Sequence, residues 1–525
     1  MNRLRTISRA LFGCSLLAML VSAVVAPVKA QTPVVRFEVV RFEVQGDNPL
    51  TEARTREVLA PFAGTHAGVD GLLAAADALE QAIQDAGVPF QRVVLPPQSL
   101  QDGTVVLRLV VFTVTQVEVR GGQYHSEKNI RRSVPALQEG ETPDTRAIAR
   151  NLALANLRPW KTTNLTFRES ETRAQGLDAT LEVEDRRPRL LWSALDNTGN
   201  ASTGPFRWSV GASVGNLFDR DHDLNASYVT SPGHASQVRQ WAFGYSVPVY
   251  RLGGTLSGFY VGSDVDSGRV LNLFDVSGAG DFGGLLYTHD LGRRGRLTHR
   301  AAVGIEDRRF ENKLVVAGFD IDLAPPPVRS RPVSIHYGAE FAGDDWGLDL
   351  SVRYARNLES GGGNDDSRYE LNRSGAKSDW DVMNGAAVLS RTLPAQWTFR
   401  GLVEGQIANE VLLPGEQFGI GGVRSVRGFS ERQVAGEDGI RGSLELWSPA
   451  VANPAGMRFL VFADAGRVYA TDGPDAHDSI ASIGWGLRWN WKDNVSLLLD
   501  LGAIVEGTES RESGMRGHLN LLVRY

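Results

Sequence analysis

Apolar and polar residues alternate one by one through much of the chain beyond residue 185. Phe206, Trp208, Val210, Ala212 and Val214 interleave with Arg207, Ser209, Gly211, Ser213 and Gly215. Trp346, Leu348, Leu350, Val352 and Tyr354 interleave in the same way with Gly347, Asp349, Ser351, Arg353 and Ala355. A period of two places one set on each face of a β-strand. Strands of this kind start near residues 189, 206, 222, 237, 254, 282, 296, 330, 345, 378, 396, 440, 457, 480, 493 and 515, sixteen in all. Their connections alternate in length. Asn216 to Asp221, Arg293 to Gly295, Pro394-Ala395 and Lys492-Asp493 are tight, whereas Asn357 to Ser378 and Asn409 to Gly439 are long. The last strand carries Gly517, Leu519, Leu521, Val523 and Tyr525 on one face. A soluble β-sandwich also alternates, but it has no need of a one-sided loop bias or a terminal aromatic. An even-stranded, antiparallel transmembrane barrel accounts for both, with apolar faces on lipid, tight turns and both termini in the periplasm, and long loops outside.

The preceding segment has a different texture, and it occurs twice. Arg41-Phe42-Glu43-Val44-Gln45-Gly46 is echoed by Gln116-Val117-Glu118-Val119-Arg120-Gly121 about 75 residues later. In the first copy, residues 51–59 and 70–86 read as helices, the second with Leu72, Leu73, Ala76, Leu79 and Ile83 on one face. Strands follow at 90–94 and 104–112, separated by Pro96-Pro97 and Asp102-Gly103. In the second copy Ser126 caps a short helix running through Val134, and Thr142-Pro143 opens a longer one bearing Ile148, Leu152 and Leu157. Strands at 164–169 and 176–184 complete it. Both copies therefore read β-α-α-β-β. At Asp185-Arg186-Arg187-Pro188 the texture changes, and helical periodicity does not return. The expected organisation is residues 31–112 as module one, 113–185 as module two and 186–525 as barrel, with 409–439 folded inward.

The N-terminus adds a location. Arg3, Arg5 and Arg9 precede an apolar stretch from Ala10 to Val25, and Val28-Lys29-Ala30 supplies small residues before Gln31. That is a secretory signal peptide over residues 1–30, cleaved after Ala30. The sole cysteine, Cys14, falls inside it, so disulfides and thiolate chemistry are not expected in the mature chain. No later run of eighteen apolar residues offers a transmembrane helix. A formal charge of −6 from 55 basic and 61 acidic residues gives no footprint for nucleic acid.

Two motifs carry the functional reading. Val426-Arg427-Gly428-Phe429 stands in the longest late loop, between the eleventh and twelfth strands. Phe462-Ala463-Asp464-Ala465-Gly466 lies on the thirteenth, with Phe462, Asp464 and Gly466 on one face. Glu445, on the Arg441 face of the neighbouring strand, points the same way. Two α+β modules, a 16-stranded barrel and these two motifs resemble the two-partner secretion translocators, the TpsB proteins of the ShlB/FhaC/HecB kind, within the POTRA-plus-barrel insertase and translocator superfamily. Asp85-Ala86-Gly87-Val88-Pro89-Phe90, Leu95-Pro96-Pro97-Gln98-Ser99-Leu100, Asp196-Asn197-Thr198-Gly199 and Asn216-Leu217-Phe218-Asp219-Arg220-Asp221 fit as well, so the resemblance spans nearly the whole mature chain.

The resemblance implies POTRA modules that capture a large exoprotein of adhesin or haemolysin class and an outer-membrane barrel that exports it unfolded without ATP. Implied partners are that exoprotein, outer-membrane lipid, periplasmic chaperones and the barrel-assembly machinery, which would read Tyr525 as an assembly signal. Arg427 is implied to pair with Asp464, with Glu445 as the alternative carboxylate. A barrel-assembly insertase and a passive porin are the competing functions; insertases usually carry more modules, and a porin needs none. The family's N-terminal plug helix has no room between Gln31 and the first strand, which leaves pore closure to the Val426–Phe429 loop and implies frequent opening. No catalytic, cofactor or metal site is expected. Gly211-Ala212-Ser213-Val214-Gly215 has a nucleophile-elbow spacing but lies within an alternating strand, not a strand-turn-helix. The nine histidines are scattered.

Overall fold

The computed structural model describes residues 36–99, 102–201, 203–264, 268–270, 274–276, 279–311, 325–452, 456–470, 477–492, 494–507 and 514–525. The signal peptide, Cys14, Gln31 and Leu100 lie outside the described residues.

The first module is a compact unit of its own. Strands Arg41–Gln45 and Thr104–Val111 run parallel, with Gln91–Val94 on the far side of the latter. Helices Glu52–Leu59 and Asp70–Asp85 cover this sheet, and Thr51 caps the first by accepting from the Arg54 amide. The buried face of the longer helix is Leu72, Ala75, Ala76, Leu79 and Ile83. Leu73 stands off it, 48% exposed, because it lies a third of a turn away from Leu72. The Gln98 amide behaves as a piece of strand: it donates to Val106 O (2.8 Å) and accepts from Val106 N (2.7 Å). A short pairing of Arg36–Val39 with Gly64–Ala67 had no counterpart in the sequence pattern.

The second module repeats the arrangement, with Thr113–Gly121 parallel to Gly176–Asp185 and Lys161–Glu169 antiparallel to it. Helix Glu127–Ser133 is capped by Ser126. The longer helix starts later than the Thr142-Pro143 signal suggested. It spans Thr145–Asn156, because the Asp144 carboxylate accepts from the Arg146 and Ala147 amides. Leu157 falls just past its end and is 57% exposed.

The barrel closes through Arg189–Asp196, Arg207–Leu217, His222–Thr230, Arg239–Val249, Gly254–Ser263, Gly280–Arg294, Leu297–Phe310, Pro332–Ala342, Trp346–Asn357, Asp381–Thr392, Thr398–Ala408, Asp438–Trp447, Met457–Tyr469, His477–Trp491, Val495–Glu506 and Met515–Arg524. Val328–Ser330 continues the Pro332 strand above a break, so the strands number sixteen, all antiparallel. Trp241, Phe243, Tyr260, Tyr354 and Met383 face outward, and their neighbours Ala242, Val261, Ala355 and Val382 face inward and are buried. The second module touches the turns at 218–221 and 250–253, which marks that end as periplasmic. Loop lengths alternate, though not strictly: the 448–456 turn is longer than the opposite 470–476 connection. Among the described residues an α-helix does return once beyond residue 185, as Asp366–Asn372 in the 358–380 loop, where Asp365 caps it.

Candidate functional site

The 409–437 loop turns back into the barrel. Its stem is a small hairpin pairing Phe418–Ile420 with Val434–Gly436. Gly421 and Gly422, at φ of 110° and 102°, bend the chain away from it. Phe418, Ile420, Val426, Phe429 and Val434 then pack with Val468 and Ile480 from the inner wall.

At the tip, Arg427 is 4% exposed and forks onto Asp464, with Nε donating to Oδ2 at 2.7 Å and Nη2 donating to Oδ1 at 2.8 Å. The Arg427 amide adds a third bond to Oδ2 at 3.1 Å. Ser443, directly across the ladder from Asp464, donates to Oδ1 at 2.7 Å and accepts from Arg427 Nη2 at 3.2 Å. Nη1 pairs with Glu445 Oε1 at 2.8 Å and lies 3.9 Å from Asp500 Oδ2. Beneath the guanidinium, Cζ sits 3.6 Å from the Phe462 ring centroid. A planar cation stacked on a ring and forked onto a carboxylate is an arginine-specific arrangement.

The three residues of the strand motif thus have separate physical roles. Phe462 is the floor, Asp464 the acceptor, and Gly466 makes room, since a Cβ there would come within 2.9 Å of Ile420 Cδ1. Two further glycines extend this clearance. Gly484 spares the Phe462 ring, and Gly502 lies against the Arg427-Gly428 backbone.

The buried charges are balanced by alternation. Arg488 chelates Asp500 through Nη1 and Nη2 at 2.7 and 2.8 Å. Arg400 and the Trp447 indole N–H reach Glu445. An isolated buried charge is costly, and here each one has a partner of opposite sign or a hydrogen bond. Gly428 N donates to His518 Nε2 at 2.9 Å, which puts the imidazole proton on Nδ1.

Arg427, Asp464 and Glu445 therefore meet in the lumen, with Phe462 and Gly466 beside them. Val426 and Phe429 are buried in the apolar cluster, and Gly428 holds the turn at φ 95°. Tyr525 lies away from this site, at the barrel seam, and is 74% exposed. Ser213 sits mid-strand and donates to Asn225 Oδ1 at 2.6 Å. Ser443, Asp500, Arg488 and His518 were missed in the sequence. Asp500 alone had a visible signal, as a single charge in the apolar run Leu497 to Ile504.

A second polar cluster, also missed, joins the second module to the barrel. Lys161, with a fully buried side chain, donates to Asp221 Oδ2 at 2.7 Å, and the Tyr250 hydroxyl donates to the same oxygen. Burial lowers the Lys161 pKa, and the Asp221 charge opposes that shift. Asn129 donates to Asn216 Oδ1 at 2.7 Å, Trp160 to Asp223 Oδ1 at 2.9 Å, and Asn151 to Tyr250 O at 3.1 Å. The turn that supplies this cluster holds Asn216, Phe218, Asp219 and Asp221 all at positive φ. Three of the four are Asn or Asp, the non-glycine residues that tolerate it best.

The family model described as haemolysin secretion/activation protein ShlB/FhaC/HecB matches residues 178–489, more than half of the chain. The model for the ShlB-type POTRA domain matches residues 37–111. The outer membrane transporter CdiB of Dickeya dadantii (strain 3937) is 23% identical over 417 residues, 76% of this chain and 70% of that one. The solved structure of CdiB from Escherichia coli superposes with a TM-score of 0.76 at 20% identity, covering 96% of this chain and 93% of that one. BamA from Haemophilus ducreyi lacking POTRA domains 1–3 superposes with a TM-score of 0.51 at 15% identity, covering 93% and 100%. At these identities the structural likenesses speak for the fold alone.

Proposed function

The chain belongs to the haemolysin secretion/activation family ShlB/FhaC/HecB, the outer-membrane transporters of two-partner secretion, and on that premise we propose that it exports an adhesin- or haemolysin-class exoprotein to the cell surface, unfolded and without ATP. The observation that carries this reading is the lumenal loop. It occupies the inside of a closed barrel, yet side-chain contacts hold it there and its backbone adds no rung to the barrel ladder. It can therefore leave, and a polypeptide can pass, while the wall keeps every inter-strand hydrogen bond that lipid requires.

Capture belongs to the POTRA-like modules at 31–112 and 113–185. In the first, Arg41–Gln45 and Gln91–Val94 are the outer strands of the sheet. An extended segment adding to such an edge gains main-chain hydrogen bonds without demanding much sequence, as an unfolded and repetitive client requires. Val426, Arg427, Gly428 and Phe429 form the functional loop motif, and Phe462, Asp464, Gly466 and Glu445 anchor it.

The test is reconstitution of the purified chain in vesicles with a urea-unfolded exoprotein encoded beside it, read by protease protection with no nucleotide present. Protected exoprotein is expected with the full chain and none with a chain lacking residues 34–185. Transport that required ATP, or that survived the deletion, would contradict the reading.

A further inference from the structure

The alternation that puts polar residues inside the barrel breaks down at its extracellular rim. On strands four to seven, nine and ten the inward face toward that end carries Ala242, Phe259, Val261, Phe282, Phe310, Ala355 and Val382, joined by Val328 above the eighth strand, an apolar patch just beneath the buried polar residues Gln240, Ser263 and Asn357. Water does not meet it. Tyr369, Ala376 and Trp380 from the 358–380 loop cover it, together with Leu412 and Leu413 from the descending arm of the 409–437 loop, all at most 1% exposed.

The covering loop is organised around one hydroxyl. Tyr369 Oη donates to Arg329 O at 3.1 Å and accepts from the Trp380 indole N–H at 3.2 Å, with Asn357 Nδ2 beside it. Asn357 Nδ2 donates to Asn364 Oδ1 and to Ser378 O, both at 2.7 Å, which ties both ends of the loop to the end of the ninth strand. Arg373 then reaches the second loop, bonding Leu412 O at 2.5 Å and pairing with Glu437. From the wall, Arg308 pairs with Glu416.

We propose that the 358–380 loop is an outer gate, a lid seated on an apolar ring at the extracellular mouth and locked to the base of the lumenal loop. The lumenal tip lies against strands twelve to sixteen and the lid against strands between four and ten, so the two loops take different sides of the barrel wall. Closure is thereby built into the barrel's own loops, and the frequent opening inferred from the sequence gives way to a pore shut at rest. The gate serves the export reading, but its position is independent of any cargo.

The test uses thiol labelling, because Cys14 is the chain's one cysteine and a Cys14→Ser background removes it. Val261→Cys, on the apolar ring, is exposed on intact cells to a membrane-impermeant maleimide. With the native loop, labelling should be slow. With Tyr369→Ala and Trp380→Ala together, or with residues 361–377 replaced by a short glycine-serine turn, it should be at least about tenfold faster, while heat-modifiable mobility reports that the barrel is assembled. The glycine-serine replacement keeps the test decisive if the double substitution does not assemble. Equal labelling with and without the native lid, fast or slow, overturns the proposal. Failure to export with correct gating would instead count against the transport reading alone.

Discussion

Gly428 and Gly502 touch backbone to backbone: a Cβ built on Gly502 would stand 2.8 Å from the Gly428 nitrogen. The loop tip is thus pressed against the fifteenth strand, and that closeness lets Arg427 reach over Phe462. Gly502→Ala should push the tip off its seat at a local cost of roughly 1–3 kcal/mol, as overpacking does. Secretion of the partner should fall several-fold with normal heat-modifiable barrel. Unchanged secretion would mean that the tip has slack.

Much of this was legible in the sequence, for identifiable reasons. A strand face that meets lipid must be apolar at every second residue, so the sixteen strands and the inward phase of Asp464 could be read directly. Glu445 followed from the same phase. Other features had no local signature. The apolar rim at Val261, Phe282 and Val382 looks like ordinary barrel sequence until the lid that covers it is in place. Lys161 and Asp221 are 60 residues apart and meet only because the second module docks on a periplasmic turn. His518 serves the loop tip through one nitrogen, which no spacing rule predicts.

The second module should be acid-labile through Asp185. Burial alone would raise its pKa, but hydrogen bonds from the Gln123 and Tyr124 amides and from His125 outweigh burial and hold it below the ordinary aspartate value. A depressed folded-state pKa contributes stability that is present above the unfolded value, about 3.9, and is lost as pH falls through the folded one. Limited proteolysis of the full chain in detergent should therefore cut the module increasingly below about pH 4. Asp185→Asn should be cut at neutral pH too and vary less with acid. A native chain equally resistant at both pH values would contradict this.

Removal of Tyr525 should impair assembly. Its amide donates to Leu191 O at 2.8 Å, where the last strand meets the first. That seam pairs Asn520 through Arg524 with Asp196 through Trp192, the Tyr525 and Leu191 backbones continue it at one end, and Asn197 extends it at the other by bonding Gly517 O and Leu519 N through its side chain. The yield of heat-modifiable barrel in the outer membrane is the measurement. A yield equal to that of the full chain would assign Tyr525 no part in closure or targeting.

The central claim is that Arg427 and Asp464 act as one anchor that seats the loop for secretion, and a double-mutant cycle tests it most directly. Arg427→Ala and Asp464→Ala each leave the other charge buried without its main partner, a loss on the order of 3 kcal/mol locally. Arg427→Lys should fare little better than alanine, since a lysine can neither fork onto Asp464 nor stack flat on Phe462. With barrel levels matched by heat-modifiability, partner secreted per barrel should drop in both single variants. In the double variant it should drop no further than in the worse single one. Strict additivity, or full secretion by Arg427→Ala, would show that the two residues are not coupled and that something else seats the loop.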